Sequence, residues 1–91
     1  MEGSLKGDKL MHSRAHIRFN TTQEASQFVG ELNKDGTVNK YVLENFNCDS
    51  RVNARSLLGV IYMMTDYRDE TFLVNETVDG YFPFFVDKYR I

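Results

Sequence analysis

One stretch of this chain, residues 52–60, constrains the fold more than any other. Val52 and Asn53 have the pattern of a strand end, and Ser56 stands directly before an apolar run with helical spacing. A serine hydroxyl in that position accepts a hydrogen bond from a free N–H of the first helical turn. The stretch therefore predicts a strand that passes directly into a capped helix, with Ser56 as the N-cap.

Length and composition predict a single globular domain. The chain has 91 residues, of which 42% are hydrophobic and 26% are charged, an ordinary balance for a folded domain. Its formal net charge of −2 does not favour nucleic acid or an anionic membrane as a partner. The one cysteine, Cys48, cannot form an internal disulfide bond, and no apolar run approaches the roughly 20 residues that cross a bilayer. We therefore expect a cytoplasmic protein.

The hydrophobic pattern over residues 16–91 predicts the element order βαββαβα. The expected strands are residues 16–20, 38–45, 51–53 and 70–75, and the expected helices follow Thr21, Ser56 and Gly80. This order is typical of an α+β open-faced sandwich, an antiparallel sheet with its helices on one face. Residues 1–15 are polar and lack periodicity, so we expect a flexible N-terminal extension before one folded domain.

Local signals fix the ends of the first and last helices. Thr21 and Glu24 have the spacing of a capping box, in which a hydroxyl and a carboxylate each satisfy a free N–H. Gly36 can take the left-handed conformation that ends a helix. Pro83 is expected in the first turn of the last helix, because a proline farther inside would break it. The buried face expected for the first helix is Ala25, Phe28, Val29 and Leu32.

The residues Val52, Asn53, Ala54, Arg55 and Ser56 also form a motif. With the helix and strand that follow, to about residue 74, they resemble the regulatory-serine segment of HPr, the histidine-containing phosphocarrier family of the bacterial sugar phosphotransferase system. In this resemblance Ser56 stands at the regulatory serine and Arg55 at a basic position beside it. The resemblance covers about a quarter of the chain, and it implies the HPr-like sandwich fold.

The helix after Ser56 extends the resemblance. Leu57, Leu58 and Ile61 stand where the family has an exposed apolar patch that docks enzyme I, the serine kinase and transcriptional partners. Gly59 matches a glycine of the same helix. Because glycine costs about 1 kcal/mol relative to alanine inside a helix, we expect a close contact that requires it. The resemblance thus implies a partner-binding set of Arg55, Leu57, Leu58 and Ile61.

The first loop departs from the family pattern. Active phosphocarriers have a Gly-x-His-Ala-Arg-Pro-like motif, whose histidine accepts phosphate at the start of the first helix. Here only residues 20–24 connect Phe19 to Ala25, so that Thr21 stands near the histidine position and Gln23 near the arginine position. Threonine has no nitrogen that titrates near neutral pH. The resemblance therefore implies a paralogue that lost the carrier activity and kept the serine.

The expected function is a regulatory protein–protein interaction domain, not an enzyme, with Ser56 as its phosphorylated switch and no metal or cofactor. The expected partners are a kinase or a regulator of the phosphotransferase or carbon-regulation system. One alternative is a working carrier that uses His16, and another is an orphan domain that kept only the fold. In the orphan case the protein's own C-terminal helix would cover Leu57, Leu58 and Ile61. RNA binding on an α+β sandwich is a further alternative, which the acidic charge balance opposes.

The remaining polar side chains carry weaker signals. His12 and His16 are four residues apart outside any expected helix and have no zinc-ligand pattern beside them. Asp66, Asp69 and Glu70 are predicted to lie in a solvated turn, because their spacing is not that of a calcium loop. Cys48 is predicted to be an unreactive loop thiol. The aromatic residues near the C-terminus are predicted to be core with an exposed helix face, and a dimer interface is the alternative for that face.

Overall fold

The computed structural model describes residues 13–36 and 38–91. Their elements are, in order, β1 (Ala15–Ile17), α1 (Thr22–Lys34), β2 (Tyr41–Glu44), β3 (Arg51–Asn53), α2 (Leu57–Asp66), a 3₁₀ helix (Arg68–Glu70), β4 (Thr71–Asn75) and a second 3₁₀ helix (Phe84–Tyr89). Most of the predicted N-terminal extension, with His12, lies outside the described residues, and Ala15 belongs to β1. The order agrees with the sequence prediction up to the last element.

The four strands form one open antiparallel sheet in the order β1-β4-β2-β3. Side chains alternate between the two faces of a strand, and the residues that point to the core face include Ile17, Leu43 and Leu73. Both main helices pack in this same core cluster, so they cover one face of the sheet. The predicted α+β class is confirmed in this form, as an antiparallel open sheet with two main helices.

Aromatic rings hold α1 against the C-terminal segment. The ring centroid of Phe28 lies 4.9 Å from that of Phe19 and 5.2 Å from that of Tyr89. Phe19 and Phe28 are fully buried, and the Tyr89 hydroxyl donates a hydrogen bond to Glu31 at 3.1 Å. Burial and that hydrogen bond raise the pKa of Tyr89 above its usual value. The aromatic residues near the C-terminus therefore contribute to the core, as predicted.

The predicted capping of α1 is confirmed with one change. The Thr21 hydroxyl accepts a hydrogen bond from the Glu24 N–H at 3.1 Å. The Glu24 carboxylate accepts one from the N–H of Asn20 at 2.9 Å, one residue before the N-cap. Gly36 follows the helix with φ of +92°, the left-handed conformation expected there.

The last predicted helix is instead a short 3₁₀ helix. Pro83 lies before it in an extended conformation (φ −58°, ψ 148°), not in the first turn of an α-helix. The Val86 N–H bonds to the Pro83 carbonyl three residues earlier, at 3.0 Å. Six residues are too few to form an isolated α-helix, and the chain must then turn back to reach β1. The sequence prediction was wrong here because helical spacing does not distinguish a short 3₁₀ segment.

The chain itself covers the outer edge of β1. The Arg18 N–H donates to the Tyr89 carbonyl at 2.9 Å, and the Ile91 N–H donates to the His16 carbonyl at 3.0 Å. Ile17 and Arg90 form an isolated antiparallel bridge between these bonds. The C-terminal residues thus extend the sheet by a partial fifth strand.

Candidate interaction site around Ser56

Ser56 is the N-cap of α2, as the sequence predicts. Its hydroxyl accepts a hydrogen bond from the Gly59 N–H at 3.3 Å, and its carbonyl accepts one from the Val60 N–H at 3.0 Å. Its own N–H donates to the Asn53 carbonyl at 3.0 Å, which joins β3 to the helix in a tight turn. Ser56 is half-buried. The hydroxyl oxygen therefore lies at the positive end of the helix, beside the free N–H groups of the first turn.

The glycine in α2, Gly59, lies in close contact with β3. A Cβ atom placed on Gly59 would lie 3.0 Å from the Cβ of Val52 and 3.4 Å from the Asn53 carbonyl oxygen. Real Cβ contacts are rarely this short, and the Val52 Cβ is fixed to the backbone. The close contact expected from the sequence is confirmed, and it holds the first turn of α2 against the end of β3.

Arg55 braces the start of α2 against the rest of the domain. Its guanidinium donates to the Leu32 carbonyl and, at 2.9 Å, to the Asn39 carbonyl. The same group lies 5.3 Å from the ring centroid of Tyr41. Arg55 is half-buried, and its hydrogen bonds go to carbonyl oxygens at the end of α1 and in the loop before β2. Its predicted part in partner binding stays a prediction.

Apolar side chains on the outer side of α2 are exposed. The exposed fraction is 80% for Leu58 and 40% for Leu57, and Ile61 is half-buried against the core cluster. We call these three residues the α2 surface. Tyr62, which is 43% exposed, lies beside them and was not singled out from the sequence. The sequence did contain a signal for it, because Tyr62 follows Leu58 by four residues and so lies on the same face of the helix.

The α2 surface borders a groove between the two helices. This open groove of about 630 Å³ is lined on the α2 side by Leu57 and Ile61. On the α1 side its lining is polar and uncharged, from Thr22, Gln23, Ser26 and Gln27. The N-terminal turns of α1 and α2 therefore form one concave surface. Its α2 side is apolar, and its α1 side consists of amide and hydroxyl groups.

The C-terminal 3₁₀ helix packs elsewhere. Phe85 contacts Phe28 at 6.3 Å between ring centroids, and Val86 and Tyr89 are buried in the α1 side of the core. Leu57 and Leu58 remain exposed among the described residues. The covering of this surface that an orphan domain would show is thus not found in the described part of the chain.

His16 lies on the opposite side of the sheet from Ser56. It alternates with the core residues Ala15 and Ile17, so its side chain is on the face without helices. The imidazole Nε2 is 2.8 Å from the Asp69 carbonyl, and the ring stacks on Phe72 with centroids 4.4 Å apart. The two groups that the sequence offered for phosphorylation therefore belong to different surfaces.

Ion pairs cover much of that helix-free face. The Glu44 carboxylate, nearly buried, pairs with Arg14 at 3.2 Å and with Arg51 at 3.0 Å, and the Cys48 thiol donates to it at 3.3 Å. Arg51 also pairs with Glu76, and this hydrogen bond holds the pKa of Glu76 below its usual value and raises that of Arg51. Both carboxylates, Glu44 and Glu76, are therefore paired with arginine on this face.

The acidic turn predicted before β4 is divided between two helices. Asp66 is the last residue of α2, and Asp69 and Glu70 belong to the 3₁₀ helix that follows. All three side chains are exposed, and Asp69 pairs with Arg18 at 3.0 Å. Among the described residues, no group of three or more His, Cys, Asp and Glu side chains is arranged to hold a metal ion.

Two further observations bear on the class of protein. In residues 13–36 and 38–91, no helix has the length and apolar character needed to cross a bilayer. Comparison of the chain with protein-family models, with curated proteins and with solved structures finds no match.

Proposed function

We propose that this chain is an HPr-like regulatory domain that binds proteins through the α2 surface and is switched by phosphorylation of Ser56. One observation carries the proposal: two exposed leucines, Leu57 and Leu58, directly follow a serine that caps their helix. Exposed apolar clusters commonly mark interaction sites. Here the cluster and a phosphorylatable hydroxyl belong to the same helical turn.

The fold supports the HPr-like part of this proposal. The order of the four strands and two α-helices, the all-antiparallel sheet and the placement of both main helices on one face agree with the expected sandwich. The departure is the last element, which is a 3₁₀ helix instead of an α-helix.

A phosphate on Ser56 would act on docking more than on folding. It adds a charge of about −1.5 to −2 at pH 7, and the positive end of α2 stabilises negative charge. The N–H of Gly59, which now bonds to the hydroxyl, is available to a phosphate oxygen. The same charge would stand beside the apolar Leu57, where it opposes a partner that buries this surface and favours one that presents cations.

Loss of carrier activity is part of the proposal. Thr21 stands near the position expected for the phosphate-accepting histidine, and its hydroxyl serves as a helix cap. His16, the one histidine among the described residues, is on the face without helices. The proposed role is therefore binding and regulation without phosphoryl transfer, and the proposed partners are a serine kinase and a regulator of the phosphotransferase or carbon-regulation system.

The test is site mapping by mass spectrometry after two separate reactions. One contains an HPr-type serine kinase with ATP, and the other contains enzyme I with phosphoenolpyruvate. We expect phosphate on Ser56 in the first reaction and none in the second. Phosphate on His16 from enzyme I would instead establish the carrier alternative, and an unmodified chain in both reactions would favour the orphan domain.

A matched pair of variants tests the docking surface in the kinase reaction. Leu58 and Phe84 are exposed to the same degree, 80% and 82%, but Phe84 lies on the C-terminal 3₁₀ helix. We expect Leu58→Asp to slow phosphorylation of Ser56 by about tenfold or more, since a charge opposes apolar docking. Phe84→Asp should leave the rate unchanged. Equal rates for both variants would remove the α2 surface from the proposal.

A further inference from the structure

The two outer strands of the sheet, β1 and β3, differ in whether other parts of the chain cover their outer edges. The edge of β1 is covered by the backbone of the C-terminal residues, through the Arg18–Tyr89 and His16–Ile91 hydrogen bonds. The other outer strand is β3, and no strand within residues 13–36 and 38–91 pairs with its outer edge. An uncovered edge presents backbone donors and acceptors that can pair with another strand.

Hydrogen bonds at the two ends of the β2–β3 ladder show which backbone groups face outward. The Ala54 N–H donates to the Tyr41 carbonyl at 3.1 Å, and the Asn45 N–H donates to the Ser50 carbonyl at 3.2 Å. In an antiparallel ladder, hydrogen-bonded and non-hydrogen-bonded pairs alternate. The even-numbered residues of this strand therefore bond to β2, and the odd-numbered residues direct their N–H and C=O groups away from it.

The outward groups of β3 belong to Arg51 and Asn53. The Asn53 carbonyl already accepts from the Ser56 N–H at 3.0 Å and retains a second lone pair. The N–H and C=O of Arg51 and the N–H of Asn53 have no backbone partner among the described residues. Because Arg51 and Asn53 each direct an N–H and a C=O outward, the donors of one strand can bond to the acceptors of an identical second strand. In an antiparallel pair of identical strands, residue 51 of one lies opposite residue 53 of the other.

We propose that β3 is the interface between two copies of this chain. The two β3 strands pair antiparallel about a two-fold axis at Val52, and the two four-stranded sheets become one continuous sheet. In each half of the interface the Arg51 N–H donates to the Asn53 carbonyl of the second copy. The Asn53 N–H donates to the Arg51 carbonyl of the second copy. This inference does not depend on phosphorylation of Ser56.

The charges at the edge favour this register. The Arg51 side chain is already neutralised by Glu44 and Glu76 on its own sheet face. With the axis at Val52, Arg51 lies opposite an asparagine, whereas an axis at Arg51 would place two arginines opposite each other. Like charges directly opposite in a ladder are destabilising. The charges therefore favour the axis at Val52 over the axis at Arg51.

The helix beside the edge adds apolar area without charge. Gly59 rests on Val52, and Tyr62, three residues later, lies on the same side of α2. Tyr62 is 43% exposed, and its ring centroid lies 6.1 Å from that of Tyr67. Since Asp66 is the only charged residue in α2, two copies of this helix side can approach without like-charge repulsion along most of their length.

The test separates strand pairing from loss of the Arg51 ion pairs. Arg51→Ala removes the guanidinium and keeps the outward N–H, whereas Arg51→Pro also removes that N–H and leaves the bonds to β2 unaffected. By sedimentation velocity we expect a dimer for wild type and for Arg51→Ala. For Arg51→Pro we expect the dissociation constant to rise at least about tenfold. A monomeric wild type at about 1 mM would overturn the proposal, and so would equal dimerisation of the two variants.

Amide hydrogen exchange of the wild type gives a readout that does not rely on Arg51→Pro folding. Pairing of β3 should slow the exchange of the Arg51 and Asn53 amides as the protein concentration rises. The Val52 amide, which already bonds to β2, serves as the internal reference. A dimer in which the Arg51 and Asn53 amides stay unprotected would mean that another surface pairs, which also overturns the proposal.

Discussion

The two helices of this domain divide their side chains in opposite ways. α1 buries its whole apolar face, Ala25, Phe28, Val29 and Leu32, and presents polar residues outward. α2 buries Val60 and Met63 and leaves Leu57 and Leu58 exposed to solvent. Burial of one leucine is worth about 1.5–3 kcal/mol, so α2 forgoes stabilisation that α1 obtains. The difference is that α1 buries its apolar side chains in the core, whereas α2 buries some of them and leaves apolar area exposed, which the proposed docking would use.

The largest expected effect comes from truncating one apolar residue in each helix. Phe28→Ala should destabilise the domain by about 3–5 kcal/mol, because Phe28 is fully buried among Phe19, Phe85 and Tyr89. Leu58→Ala should change the free energy of unfolding by no more than about 0.5 kcal/mol. Urea denaturation of both variants measures this. A large loss from Leu58→Ala would show that Leu58 also contributes to the core.

Glycine offers a second contrast between the helices. Gly59→Ala should destabilise by about 1 kcal/mol or more, because overpacking against Val52 outweighs the gain in helix propensity. Gly30→Ala in α1 should stabilise by up to about 1 kcal/mol, since a Cβ there meets no atom within 4 Å. Thermal denaturation of the two variants should therefore give shifts of opposite sign. Shifts of the same sign would remove the close contact with β3 as the reason for Gly59.

The N-caps of the two helices, Thr21 and Ser56, should contribute similarly to the stability of the domain but differ in their effect on partner binding. Thr21→Ala and Ser56→Ala should each cost about 1 kcal/mol, because each removes an acceptor for an N–H of the first turn. Ser56→Asp should keep the cap and alter partner binding, and Thr21→Asp is its control. Calorimetric titration with a kinase-type partner measures the binding. Unchanged binding by Ser56→Asp would contradict the proposed switch.

The smallest effect is expected on the helix-free face, in acid. The Arg51 hydrogen bond lowers the pKa of Glu76, so the folded state binds a proton there less readily than the unfolded state. This stabilisation is present above the unfolded pKa of about 4.3 and is lost as the pH falls through the lower folded value. Glu76→Gln should cost about 0.2–1 kcal/mol at neutral pH and nothing in strong acid. The measurement is the melting temperature of wild type and of Glu76→Gln from neutral to strongly acidic pH. A difference between the two melting temperatures that does not change with pH would argue against the Arg51–Glu76 pair.

Much of the fold was predictable because its signals are local. The Thr21 and Ser56 caps, the left-handed Gly36 and the apolar face of α1 each depend on residues within a few positions of one another. The 3₁₀ helix at Phe84–Tyr89 was not predictable, because its geometry depends on the distant backbone of β1. Tertiary contacts of this kind override local propensity.

The candidate site shows the same limit. Ser56 could be placed on the helix N-terminus from sequence, and the contact of Gly59 was anticipated from the cost of glycine. The hydrogen bonds from Arg55 to the Leu32 and Asn39 carbonyls could not be predicted, because these residues lie 23 and 16 positions away in the sequence. Nor could the pattern show that β3 would lie at the sheet edge, since strand order depends on pairing between distant segments.

Within residues 13–36 and 38–91, the backbone partners of β1 are supplied by later parts of the chain. Ala15–Ile17 pairs with β4 at residues 71–73 on one side and with the Tyr89–Ile91 backbone on the other. During synthesis, more than fifty residues must therefore follow β1 before the first of these described strand partners is made. Contacts of such long sequence separation slow folding. We expect the nascent chain to gain its α1 and β2–β3–α2 structure first and to become resistant to proteolysis only when the C-terminal segment has left the ribosome.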